Sequence, residues 1–198
     1  MKTLEEIERF AYEHDVPIME KEGIAFLCNY LQSHGYTSIL EVGSAIGYSA
    51  ICMALTNKNI RIVTIEKDVE RYNLACENIK DFHLNHQITI YCEDALYSEI
   101  EGMYDVIFID AAKAQYIKFF EKYEKHLNPG GIIISDNLSF HGFVENPQSI
   151  RSRNLRQLVG KIKRYICFLE TNDKYDTEFL KIGDGLAISR KKSESLSK

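Results

Sequence analysis

Asp110 ends an unbroken apolar run, Val106-Ile107-Phe108-Ile109, and Lys113 follows three residues later. A second run, Gly131-Ile132-Ile133-Ile134-Ser135, leads into Asp136 and Asn137. Three oxygen donors at the tips of buried segments, two of them anionic, suit a hard octahedral cation such as Mg²⁺ that keeps positions open for water and substrate. A cation of that kind, touching a substrate hydroxyl, makes it more acidic and holds the resulting oxyanion. A neighbouring dication disfavours an ammonium, which makes Lys113 the candidate general base. The plainer alternative has Asp110 capping a helix and Lys113 solvated. It explains one acid comfortably and the four residues together poorly.

A second constellation lies in "LEVGSAIGYSA". Gly43 and Gly47 let backbone approach a ligand closely. Their spacing is Gly-x-x-x-Gly, with Ala45 where a dinucleotide fingerprint wants its second glycine, which argues against a pyrophosphate cradle. Glu41 lies within the end of that run, and Glu66 closes the next one, 23 residues after Gly43. An acid at the second position can accept hydrogen bonds from both hydroxyls of a ribose. Asp94, in "YCEDAL", is placed to receive the exocyclic amine of an adenine. A ribose, an adenine and no phosphate grip point to S-adenosylmethionine (SAM). Against this, acids at strand ends also cap helices and turns.

These residues need a frame that brings strand ends together. Short apolar runs at 38–42, 60–65, 88–92, 105–109 and 131–135 alternate with amphipathic segments near 47–56, 69–82 and 113–127. Strands apolar on both faces and joined by helical crossovers predict a parallel sheet covered on each side. Ligands of such sheets sit beyond the carboxyl ends of the strands, with the fourth and fifth strands expected beside the first. Two helices are predicted ahead of the sheet, around Leu4-Ile7-Ala11 and Ile24-Leu27-Cys28-Leu31, broken at Asp15-Val16-Pro17. A helix near 149–170 follows, and then two strand-like segments, TEFLKIG and LAISRK. The Gly183-Asp184-Gly185 step between them predicts an antiparallel hairpin. Residues 1–190 are read as one domain and 191–198 as a polar, disordered tail.

Bulk properties narrow the classes. The 198 residues are 45% hydrophobic and 27% charged, with no apolar stretch long enough to span a bilayer and no signal-like N-terminus. Five scattered cysteines without CxxC argue against a disulfide framework and for a cytoplasmic setting. His83 and His86 lack zinc spacing and read as surface residues. The net charge of −5 does not by itself suggest nucleic acid, yet RSRNLRQLVGKIKR carries six basic residues and no acid. Arg151, Arg153, Arg156, Lys161, Lys163 and Arg164 can follow a phosphate backbone, with Phe140 or Phe143 stacking on a flipped base. The competing reading is a solvated helix face whose Leu155, Leu158, Val159 and Ile162 pack inward.

"EVGSAIGYSA", "TIEKD", "DAAKAQY" and "SDN" together resemble the bacterial O-methyltransferases related to catechol O-methyltransferase, over nearly the whole chain. The resemblance implies a Rossmann-like class I SAM-dependent methyltransferase fold. Its seven-stranded, mostly parallel sheet carries a C-terminal antiparallel hairpin and helices on both faces. It further implies Mg²⁺-dependent methyl transfer from SAM to one of two adjacent oxygens. By that resemblance Asp110, Asp136 and Asn137 hold the metal and Lys113 is the base. Met19, Glu41, Gly43, Ser49, Glu66, Asp94 and Asp110 contact the cofactor. Met19, in "VPIMEKEG", is otherwise a core residue. The family also implies a homodimer and about one more helix ahead of residue 1.

A narrower resemblance is to the tRNA 5-hydroxyuridine methyltransferases, which make 5-methoxyuridine at the wobble position. It is carried by "HDVPIMEKEG", "SAIGYSAICMAL", "YDVIFIDAAKAQY", the arginine-rich segment and "IGDGLAIS". It implies a tRNA anticodon loop as partner, because the 5-hydroxyl and O4 of that base can chelate one cation as a catechol does. Three rivals stand beside it. The same chemistry can serve a small catechol or caffeoyl-type phenol. An NAD-dependent dehydrogenase is disfavoured by the missing loop glycine. A non-catalytic RNA-binding module would keep the fold alone.

Overall fold

The computed structural model describes residues 2–146, 148 and 150–192. Seven strands form one sheet in the order β3-β2-β1-β4-β5-β7-β6. They are β1 (Ser38–Val42), β2 (Arg61–Glu66), β3 (Ile88–Cys92), β4 (Tyr104–Ile109), β5 (Leu127–Ser135), β6 (Tyr175–Leu180) and β7 (Leu186–Lys191). The first five run parallel, and β7 is antiparallel to both β5 and β6. This is the seven-stranded, mostly parallel arrangement that the family resemblance implies, with the expected hairpin at one end of the sheet. Of the two strands expected beside β1, β4 pairs with it directly and β5 lies one place further out.

Period-two alternation divides the apolar residues between two cores. Ile39, Val106, Phe108, Ile132 and Ile134 face α1 (Leu4–Glu13), α2 (Lys21–His34), α3 (Tyr48–Thr56) and α4 (Val69–Asp81). Leu40, Val42, Ile107, Ile109 and Ile133 face α5 (Tyr116–Tyr123) and α6 (Arg153–Glu170). All ten are fully enclosed, each contributing roughly 1.5–3 kcal/mol of burial. That explains why the runs read as unbroken apolar stretches.

Local signals set the helix ends. Thr3 and Glu6 form a reciprocal capping box at the start of α1. The chain turns out of that helix at Asp15, φ 51°, ahead of Pro17. The helix predicted over 113–127 is split into a 3₁₀ turn at Lys113–Gln115, α5, and a second 3₁₀ turn at Glu124–His126. Lys113 therefore opens the segment in a 3₁₀ turn ahead of α5. The start predicted for α6 near 149 falls at a position outside the described residues, and the helix begins at Arg153, capped by Ser152. Lys181, Ile182 and Gly183, expected in a strand, lie beyond β6 in its connection to β7. At the other end β7 runs through Lys191, and the Lys192 N–H bonds the Lys174 carbonyl. Positions 193–198 of the expected tail lie outside the described residues.

Candidate active site

The parallel ladder continues one step past the strand ends. Gly43 N–H donates to the Ile65 carbonyl (2.9 Å), Asp110 N–H to Val42 (3.0 Å) and Asp136 N–H to Ile109 (3.2 Å). Val42 is in register with both Ile65 and Ile109, and Ile109 with Ser135. Glu66, Gly43, Asp110 and Asp136 thus occupy one row across four neighbouring strands. Register neighbours in parallel strands lie about 4.8 Å apart and point the same way, so the two aspartates are held side by side.

At this end Asp136 is buried, its two oxygens accepting from the Asn137 N–H (2.7 Å) and the Asn137 side-chain amide (3.3 Å). Lys113 Nζ donates to Asn137 Oδ1 at 2.5 Å and lies 5.3 Å from the centre of the Phe140 ring. Burial drives the Asp110 and Asp136 carboxyls above the ordinary carboxylate range. Asp110 adds to the rise at Asp136, and Lys113 opposes it at both. Among the described residues no three His, Cys, Asp or Glu side chains gather into a ready-made metal cage. The set here is two carboxylates and an amide oxygen. Two adjacent acids, Asp136 buried and Asp110 half-buried, both pushed toward protonation, are the surroundings that a dication would relieve. The donor chemistry therefore fits a magnesium ion.

On the other side of Gly43, both oxygens of Glu66 hold backbone. Oε2 accepts from the Ala45 N–H and Oε1 from the Asp68 N–H, each at 2.9 Å. This fixes the Gly43–Gly47 loop, where Gly43, Ala45 and Gly47 have φ of 95°, 45° and 82°. Asp94 Oδ1 caps its own turn through the Leu96 N–H (2.9 Å), so the capping role weighed from sequence is present. Its side chain also reaches the cavity wall. Glu41 is wholly enclosed, accepting from the Ser49 hydroxyl (2.5 Å) and from the Thr64 hydroxyl. Burial, only partly offset by those two donors, pushes its carboxyl up to about 7.

These parts surround one cavity of about 850 Å³ at the topological switch between β1 and β4. Met19, Gly43, Ser49, Glu66, Asp94, Asp110, Lys113 and Asn137 line it. Glu41 and Asp136 do not, each standing one layer behind the wall. Glu41 buttresses Ser49, which itself faces the cavity. Phe140 lines the space, while Phe143 packs beside it with ring centres 6.3 Å apart. Arg151, Arg153, Arg156, Lys161, Lys163 and Arg164 are exposed and outside the wall, with Val159 and Ile162 of α6 turned inward. Both sequence readings of this segment thus describe one amphipathic helix, and α6 packs on the turn that carries Lys113. Among the wall residues that sequence reasoning missed are Ser44 and Asp184. The Ser44 hydroxyl is buried and has no hydrogen-bond partner among the described residues. Asp184 reads from sequence only as part of a tight turn. No described helix is long and apolar enough to cross a membrane.

Comparison with known proteins agrees with this layout. The family model described as O-methyltransferase matches residues 1–192. A catechol O-methyltransferase from Niastella koreensis is 32% identical over 164 residues, 77% of this chain and 72% of that protein. A crystal structure described as a "putative caffeoyl-CoA O-methyltransferase" from Staphylococcus aureus superposes with a TM-score of 0.92 at 38% identity, covering 97% of this chain and 93% of that one. An O-methyltransferase from Bacillus cereus, solved in complex with SAH, gives a TM-score of 0.79 at 28% identity, with 97% and 92% covered.

Proposed function

The chain belongs to the O-methyltransferase family, and from that premise we propose that it moves a methyl group from SAM to one of two adjacent oxygens on its acceptor. The observation that carries the reading is the register row that sets Asp110 beside Asp136, with Lys113 bonded to Asn137 above them. SAM, when bound, supplies a sulfonium methyl open to in-line attack. The relative solved with SAH supports that donor, as does a glycine loop without a pyrophosphate cradle. Glu66 sits where ribose hydroxyls are received, and Met19, Ser49 and Asp94 line the rest of the donor half.

Asp110, Asp136 and Asn137 would hold magnesium, which when bound supplies Lewis-acid charge that makes a substrate hydroxyl acidic. Lys113 Nζ then takes the hydroxyl proton. Its reach to Asn137 Oδ1 sets the place from which it acts. Phe140, whose ring lies 5.3 Å from Lys113 Nζ, lines that side of the cavity. Most of the acceleration would come from positioning and charge stabilisation.

Two acceptors suit the site. A catechol or caffeoyl-type phenol is favoured by the relatives described as catechol and caffeoyl-CoA O-methyltransferases. The 5-hydroxyuridine of a tRNA anticodon loop is favoured by the exposed basic face of α6 beside the Lys113 turn. Labelled SAM with Mg²⁺, offered catechol and total tRNA in parallel, tests both. Nucleoside mass spectrometry of tRNA from cells with and without the protein adds the cellular answer. Transfer to either acceptor that EDTA abolishes is the expected result, and no transfer to any adjacent-oxygen acceptor would sink the reading.

A further inference from the structure

Asp184 sits in the turn between β6 and β7 and lines the same cavity as Asp110, Lys113 and Asn137. Its residue is only 6% exposed. One oxygen, Oδ1, accepts the His141 N–H. The other, Oδ2, is buried and has no hydrogen-bond partner among the described residues. The His141 ring nitrogen lies 3.8 Å from it, beyond hydrogen-bond reach.

The bonded oxygen has an evident task. Asn137, Phe140 and His141 all adopt left-handed backbone, with φ of 60°, 49° and 56°. Such residues are strained unless their surroundings hold them. The turn does so through the Leu138 N–H to the Gly185 carbonyl (3.0 Å), the Ser139 N–H to the Asp184 carbonyl (2.8 Å) and the His141 N–H to Asp184 Oδ1. An asparagine would serve that clamp equally well. What the clamp leaves unexplained is the charge. Asp184 acts on Asp110 and Asp136 as a further neighbouring anion. A further acid, itself buried and with an unused oxygen, is costly unless something donates to it.

We propose that Asp184 is a further ligand-orienting residue of this site, whose Oδ2 accepts a hydrogen bond from an O–H group brought in with the ligands. Two sources share that chemistry: a water on the bound cation and the acceptor hydroxyl that is not methylated. The proposal rests on the methyl-transfer reading, and one arm of its test does not need turnover.

Asp184→Asn is the informative variant, since its amide oxygen can keep the His141 N–H while an NH₂ donor replaces the free acceptor. Titration with Mn²⁺ alone, read by electron paramagnetic resonance, reports the first source. A dissociation constant raised roughly ten- to a hundredfold assigns Oδ2 to cation-bound water. Unchanged Mn²⁺ affinity, with KM for the methyl acceptor raised roughly tenfold and KM for SAM unaltered, assigns it to the substrate hydroxyl. An Asp184→Asn protein that matches wild type in both arms overturns the proposal and leaves Asp184 as a loop clamp only. Asp184→Ala, which also removes the clamp, shows the size of that structural effect, and poor folding of this variant leaves the Asp184→Asn comparison intact. If the wild-type protein methylates no acceptor, the methyl-transfer reading fails on its own. The Mn²⁺ arm alone then decides Asp184, and unchanged affinity there counts against it.

Discussion

Lys113 Nζ and Asn137 Oδ1 are 2.5 Å apart, so the proposed base is bonded to the oxygen that the proposed metal site would use. The ammonium and a dication are therefore competitors for one amide oxygen and neighbours of the same carboxylates. Lys113→Met removes the base and the competitor together. Turnover is expected to fall roughly a hundredfold, with a deficit that narrows as pH rises and the acceptor ionises unaided. Mn²⁺ should bind the variant at least as tightly as wild type. A pH-independent deficit in kcat would argue that Lys113 only positions its neighbours.

Asp136 tests the metal role from behind the cavity wall. It makes no contribution to the donor half, where Glu66 and the Gly43–Gly47 loop form their own bonds. Asp136→Ala should abolish turnover while changing SAM affinity by less than about threefold, well under the cost of a lost charge-assisted hydrogen bond. Equilibrium dialysis with labelled SAM beside the methyl-transfer assay separates the two. Wild-type protein stripped with EDTA should behave as the variant does and recover with Mg²⁺, whereas full turnover by the variant would remove Asp136 from the mechanism.

Much of this site was legible because it hangs on strand ends. β1, β3 and β7 begin and end at the residues read from their apolar runs, since strands buried on both faces leave little freedom of register. Acids immediately after such runs had to lie at the sheet's carboxyl edge. What escaped depends on contacts distant in sequence. That Glu41 turns away from the cavity is decided by the Ser49 and Thr64 hydroxyls, contributed by α3 and β2. Asp184 joins the site only because the β6–β7 turn packs on the loop after Asn137. The 3₁₀ turn at Lys113 was masked by a helical spacing that runs on into α5.

Glu41 makes stability depend on pH. Its carboxyl is raised by burial from 4.5 to about 7, so the folded protein binds this proton more tightly than the unfolded chain does. The stability it contributes is complete below the ordinary glutamate range and is lost as pH rises from 4.5 toward about 7. Ionising it in place costs on the order of 3 kcal/mol on this basis. Glu41→Gln keeps a neutral acceptor and, the two hydroxyls being free to rotate, their contacts. Urea unfolding at pH 5 and pH 8 should show the variant gaining on wild type at the higher pH. Parallel pH curves for the two proteins would show that Glu41 stays ionised in the fold.

Gly43 joins the two halves of the site through backbone alone. A Cβ there would stand 2.2 Å from the Asp110 carbonyl oxygen, at a φ of 95°. Neither neighbour can yield without disturbing β1 or β4. Gly43→Ala should cost about 3 kcal/mol or more, with SAM binding lost in whatever fraction folds. Gly35 is the matched control: its φ is 67°, yet nothing lies within 4 Å of an added Cβ. Gly35→Ala should cost only about 1 kcal/mol. Equal losses at the two positions in thermal unfolding would mean that φ strain, and not the close approach to Asp110, governs Gly43.

The basic face of α6 separates the two acceptors. Arg153 and Arg156 are exposed, lie outside the cavity wall and stand at the end of the helix opened by Ser152. Reversing both to glutamate leaves the inward Val159 and Ile162 untouched, so the fold should persist. If an RNA lies along this face, each lost phosphate contact lowers the slope of log affinity against log salt by about 0.7–0.9. The double variant should then bind tRNA roughly tenfold or more weakly at moderate salt, with a shallower salt dependence. A small phenol makes no use of a phosphate track, so its KM should be unchanged in the same variant. Filter binding across a salt series, run beside the catechol assay, reads both quantities. Unaltered tRNA binding and salt slope would return α6 to the role of a solvated face and leave the phenol as the acceptor the site serves.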